Sequence, residues 1–247
     1  MKKSILIEIC ADSIESAMAA QSGGAGRIEL CSALDLGGLT PSEAFIKHTI
    51  SKVTIPVNIL IRPRNGDFIY SEDELLMMMD DIRYAKSAGA NGIVIGALNK
   101  EGNIDISGMQ KLIKASNPLP VTFHRAFDLI VDKKRALEEI IDLGCARLLT
   151  SGGFKSATIG SHIISELIKQ AGDRIIIMPG AGINEKNFAE LVEGTGCYEY
   201  HLSASSIVDN QMEHENFHLR DVFPASRKVS DIKKISAVCS MATVLSE

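Results

Sequence analysis

Short runs of β-branched and apolar residues alternate along the chain with longer stretches whose apolar positions recur every three or four residues. The short runs cover 5–10, 27–31, 57–62, 92–96, 121–124, 147–150, 174–178 and 198–202, and each has strand length. The longer ones cover 13–21, 42–51, 72–87, 107–115, 133–143, 157–171 and 184–193, with a last helical stretch over about 230–245. Eight strand–helix units without a linker predict one α/β domain over 1–247, a (β/α)8 TIM barrel with a C-terminal helix closing it. The alternative is a doubly wound open sheet. That fold usually carries a Gly-rich fingerprint after its first strand, and Cys10-Ala11-Asp12-Ser13 stands there instead.

A repeated phrase supports the barrel. Predicted helices end in Gly24-Ala25-Gly26-Arg27-Ile28, Gly89-Ala90-Asn91-Gly92-Ile93 and Gly144-Cys145-Ala146-Arg147-Leu148, with Gly194-Thr195-Gly196-Cys197-Tyr198 as a looser copy. The first Gly suits the left-handed residue that stops a helix, and small residues let the chain turn into the next strand. The phrase belongs to the bottom of a barrel and reads as structural.

Composition narrows the function classes. Hydrophobic residues make up 45% and charged residues 23% of the 247, which suits a globular chain rather than a disordered one. A net charge of -5 argues against general nucleic-acid binding. No apolar run approaches the roughly 18 residues of a membrane span. Lys2-Lys3 and the short apolar run after them read as a first strand rather than a signal peptide, because Glu8 interrupts the run. Five scattered cysteines without a CxxC point to a reducing, cytoplasmic setting.

Barrel chemistry sits at the carboxyl ends of strands. The first two strands end in the same triplet, Glu8-Ile9-Cys10 and Glu29-Leu30-Cys31. Period-two alternation puts each Glu and its Cys on one face, which predicts two carboxylates one layer below two thiols. Later strands end in Arg62-Pro63-Arg64, His124-Arg125, Thr150-Ser151-Gly152-Gly153, Pro179-Gly180-Ala181-Gly182 and His201-Leu202-Ser203. Buried carboxylates are costly unless paired, so Glu8 and Glu29 are expected to meet Arg62, Arg64 and His124. A structural ion-pair network satisfies this pattern. So does a polar pocket made of Glu8, Glu29, Arg62, Arg64, His124, Arg125 and His201, with a neutral to positive balance that would draw a small anion.

Two further features invite chemistry. Thiols at the ends of adjacent strands, about 4.8 Å apart, could share one soft metal ion. Two sulfurs are too few for structural zinc, whereas linear Cu(I) accepts two. Cys10 and Cys31 satisfy the sequence equally well as two buried thiols without metal. Cys145, Cys197 and Cys239 read as small hydrophobes. Glycine turns at Gly152-Gly153 and at Gly180 and Gly182 precede predicted helices and could offer N–H groups to an anion, or simply make tight turns.

Together these motifs resemble the CutC family of copper homeostasis proteins. The match is carried by Glu8-Ile9-Cys10 with Asp12-Ser13, Arg27-Ile28-Glu29-Leu30-Cys31-Ser32 and Gly37-Gly38-Leu39-Thr40-Pro41-Ser42. It continues in Ile61-Arg62-Pro63-Arg64, Gly66-Asp67-Phe68, Tyr70-Ser71, Gly96-Ala97-Leu98, Thr122-Phe123-His124-Arg125-Ala126-Phe127-Asp128, Thr150-Ser151-Gly152-Gly153 and His201-Leu202-Ser203. The resemblance covers about residues 4–205. It implies a cytoplasmic TIM barrel that self-associates as a dimer or tetramer and handles Cu(I), with copper thiols at Cys10 and Cys31 and no organic cofactor. Asn65 and Pro179-Gly180-Ala181-Gly182 depart from the family pattern, the latter weakening an anion site there. Residues 204–228 match poorly. Met212, His214 and His218 within them have no metal-site spacing and read as a surface loop. A copper homeostasis protein is thus the expected function. An enzyme of unassigned reaction on a small anionic metabolite is the alternative, because two Glu, several Arg and two His exceed what Cu(I) needs.

Overall fold

The strand-length runs assemble into β1 (Leu6–Ala11), β2 (Arg27–Leu30), β3 (Val57–Leu60), β4 (Gly92–Ile95), β5 (Val121–Phe123), β6 (Arg147–Thr150), β7 (Ile176–Pro179) and β8 (Glu199–Leu202). In the computed structural model, which describes residues 4–209, 212, 218 and 226–246, these strands are all parallel, in the order β7-β6-β5-β4-β3-β2-β1-β8. A parallel bridge between Gly180 and His201 joins the two ends into a barrel. Helices α1 (Ile14–Ser22), α2 (Glu43–Ile50), α3 (Glu72–Ser87), α4 (Ile106–Ser116), α5 (Lys133–Asp142), α6 (Ser161–Ala171), α7 (Phe188–Thr195) and α8 (Ile232–Ser246) surround it. The last packs against both α1 and α7, closing the outer ring.

Local chemistry sets the boundaries. Ser13, Ser42 and Ser71 accept a backbone N–H at the starts of α1, α2 and α3, and Ser71 with Glu74 completes a capping box. That reciprocal cap is why α3 spans the residues its periodicity predicts. Gly24, Gly89 and Gly144 adopt positive φ after their helices; in the looser fourth copy the left-handed residue is Gly196, not Gly194. Ile9, Ile28, Ile59 and Ile93 pack outward into the apolar layer under the helices. Their alternate neighbours point into the barrel, where polar side chains gather.

The sequence pattern misses one element. β9 (Ser205–Asp209) and β10 (Ser226–Ser230) pair antiparallel, and the backbone N–H of Ser230 reaches Ser16 on α1. Both strands are short, polar and largely exposed, so neither shows a hydrophobic period. The ribbon replaces the surface loop expected in its part of 204–228; His214 lies outside the described residues. Helices α6 and α7 also start four residues later than the pattern predicts. Among the described residues no helix is long and apolar enough to cross a membrane.

Candidate functional site

The barrel floor holds an ion network. Arg27, at the start of β2, bonds Glu8 of β1 through Nε and Glu199 of β8 through Nη2, the latter at 2.5 Å. Arg147 of β6 donates to Glu199 at 2.7 and 3.3 Å. Glu8 also contacts His201 Nδ1 at 2.8 Å and Asn58 Nδ2 at 3.4 Å. Burial alone would raise the Glu8 pKa, but the His201 bond and the Arg27 charge override it and hold the carboxyl at about 2. His201 is raised well above its ordinary value despite burial, because Glu29, Cys10 and Glu8 surround it. The carboxylate partners expected from sequence are therefore corrected. Glu8 pairs with Arg27, not with Arg62, Arg64 or His124. Alternation from Arg27 through Glu29 to Cys31 could have revealed this arginine, and Glu199 shares a face with His201 by the same rule.

The layering is corrected too. Register pairs Glu8 with Arg27 and Cys10 with Glu29. The stagger of a barrel thus lifts Glu29 to the level of Cys10 rather than leaving both carboxylates beneath both thiols. Glu29 is 6% exposed, and its Oε2 finds no hydrogen-bond partner among the described residues. Burial, assisted by the Glu8 charge and opposed by His201 and Arg27, raises its pKa to about 7. Cys10 and Cys31 are buried and border the same cavity. Cys31 lies in an apolar cluster with Leu60 and Val94, and burial, then the nearness of Cys10, Glu29 and Asp12, raises its thiol pKa.

That cavity, about 390 Å³ in volume, opens at the carboxyl ends of the strands. Glu29, Arg62, His124, Arg125 and His201 line it, and Glu8 lies beneath. Arg62 uses its fork on the carbonyl oxygens of Leu36, Gly38 and Gly66, at 3.0–3.1 Å, and so fastens two loops of the mouth. Burial and the neighbouring Arg62 charge lower His124 to about 3, which keeps the ring neutral. Arg125 reaches Asp128 and Ser151. Ser205 and Lys228 of the unforeseen ribbon form part of the rim, Lys228 paired with Asp35 at 2.6 Å. Three non-glycine residues with positive φ, Ala33, Ala181 and Ala204, follow β2, β7 and β8 at this same end.

Other expected residues lie elsewhere. Arg64 turns outward to Glu74 and Asp67. The Gly153 amide donates to Asp128 Oδ1 at 3.0 Å and the Gly152 amide to Thr150 Oγ1 at 2.9 Å. The chain thus supplies its own carboxylate where an anion was expected, and α6 begins only at Ser161. Gly180 donates to the Thr150 carbonyl. Gly182 alone of the four glycines borders the cavity, and no helix starts beside it.

Two donor sets could take a metal. One ligand atom each from Glu8, Glu29 and His201 lies within 4.8 Å of the others, the one such group of three among the described residues. These are hard or borderline donors, and Glu8 is already committed to Arg27. The thiols of Cys10 and Cys31 form the softer set.

Known proteins place this geometry in context. The model of the CutC family matches residues 5–206. A copper homeostasis protein cutC homolog of Mus musculus is 46% identical over 242 residues, spanning 96% of this chain and 89% of its own. A family protein CutC of Pasteurella multocida is 53% identical over 197 residues, 80% of this chain and 81% of its own. The solved structure of a CutC protein from Streptococcus agalactiae superposes with a TM-score of 0.77 at 32% identity, covering 81% of this chain and 98% of that one.

Proposed function

Because the chain belongs to the CutC family, we propose that it is a copper homeostasis protein that binds Cu(I) through Cys10 and Cys31 at the barrel mouth. The observation that carries this is the shared cavity: both thiols border it, from neighbouring strands whose stagger sets Cys31 one layer above Cys10. Thiolates select soft Cu(I) over the divalent ions that carboxylates prefer. His201 supports the site, since Glu8 holds its Nδ1 and the Cys10 thiol stands beside its ring. A metal-ligating imidazole is commonly fixed by a carboxylate in this way. The reading extends to a homo-oligomer acting in the cytoplasm, where scattered thiols stay reduced.

Burial holds a proton on the Cys31 thiol that copper must displace, so affinity rises with pH, by about tenfold per unit for that proton. Anaerobic competition against a Cu(I) chelator tests the site. The expected result is about one Cu(I) per chain, lost in Cys10→Ala and in Cys31→Ala and retained in Cys239→Ala. Undiminished binding in the first two variants rejects it.

A further inference from the structure

We propose that the mouth also binds a small hydroxycarboxylate, recognised by Arg62, His124 and Glu29. Glu29 Oε2, Arg62 Nε and His124 Nε2 are buried without a hydrogen-bond partner among the described residues. Buried polar atoms are nearly always paired, so an unpaired one calls for an explanation. Here three come from the ends of β2, β3 and β5, and their residues border one cavity. Each residue is more than nine-tenths buried.

Their hydrogen-bonding roles define the ligand. His124 Nδ1 accepts the Ala126 N–H at 3.2 Å, so the neutral ring carries its proton on Nε2 and donates there. Arg62 Nε–H, with the buried Tyr70 hydroxyl near the same guanidinium but outside hydrogen-bond geometry, is a second donor, and Glu29 Oε2 is an acceptor. Phe68 packs 4.8 Å from the Arg62 guanidinium and 4.9 Å from the His124 ring, which fixes the two donors relative to each other. Two donors and one acceptor suit a carbonyl or carboxylate group with a hydroxyl beside it.

Charge favours the carboxylate. Arg125 and Lys228 at the rim are paired with Asp128 and Asp35. Arg62 meets only carbonyl oxygens through its fork, so its charge has no carboxylate in contact among the described residues. A phosphate fits less well, because that fork and the Gly152–Gly153 amides are already occupied. A cavity of about 390 Å³ lies at the small end of the roughly 300–1,000 Å³ typical of ligand pockets.

The test is dye-monitored melting with D-glycerate, lactate, malate and tartrate, using acetate and phosphate as controls. At least one hydroxycarboxylate is expected to raise the melting temperature, by roughly 5–10 °C at 100-fold excess over its Kd. Glu29→Leu should melt higher than the parent without ligand, since it removes an unpaired buried carboxylate, yet show no response to the ligand. In His124→Asn the amide oxygen can still accept the Ala126 N–H, while the Nε2 donor is gone. That variant should bind about tenfold more weakly by NMR titration. Silence across the four hydroxycarboxylates overturns the proposal, as does an equal shift from acetate or an undiminished shift in Glu29→Leu. Cu(I) affinity is read separately, so copper binding can stand while this inference falls, and the reverse.

Discussion

Arg27 holds two buried carboxylates, Glu8 and Glu199, on one guanidinium. Removing one member of a buried ion pair typically costs about 3–5 kcal/mol, since the partner charge stays buried. Arg27→Met should therefore destabilise the protein by about that much in urea unfolding. A loss under about 1 kcal/mol would mean that water or His201 takes over its role. His124, His201 and Glu29 were each recognisable as strand-end chemistry. What they meet was not, because a partner on another strand depends on stagger rather than on spacing along the chain. Arg62 illustrates the difference. Its position in the mouth was legible, yet its fork binds loop carbonyls that no sequence motif marks.

Among the elements, the turn after β6 is organised by a residue from the preceding unit. Asp128 accepts from Thr150 Oγ1, from the Ser151 amide and hydroxyl, and from the Gly153 amide. An Asn there keeps one acceptor oxygen but loses the charge and leaves an amide hydrogen facing donors. Asp128→Asn should destabilise by about 2 kcal/mol and speed hydrogen exchange at Ser151 and Gly153. Unchanged exchange at those amides would show that the turn holds itself. The capped helices were readable because a cap is a local contact within three residues, as in Ser71 and Glu74. The β9–β10 ribbon was not, because its two strands are separated in sequence and too polar to show a period.

For the molecule as a whole, four buried mouth and floor groups shape the pH dependence. Glu8 is depressed to about 2, so its stabilisation is present above about pH 4.5 and is lost as pH falls through its folded value. Glu29 is raised to about 7, so the unfolded chain gives up this proton first and stability falls between about pH 4.5 and 7. His201 is raised, so its contribution is full below about pH 6.5 and is lost as pH climbs through its folded value. His124 is lowered to about 3, so the unfolded chain takes up this proton first and stability falls as pH drops below about 6.5. Together the four place their joint optimum at about pH 5.5. The stability gap between Glu29→Leu and the parent should widen by up to about 3 kcal/mol from pH 4.5 to 7.5. A constant gap would show that Glu29 titrates normally. The sequence by itself determined the barrel, the order of its units, the family and the set of side chains at the strand ends, because periodicity and motif are properties of neighbouring residues. Only the tertiary structure decided which charges pair, that Asp128 fills the glycine turn, that Arg64 leaves the mouth and that a ribbon borders it. Those outcomes depend on the stagger between strands and on the paths of loops, which bring together residues that no local pattern connects.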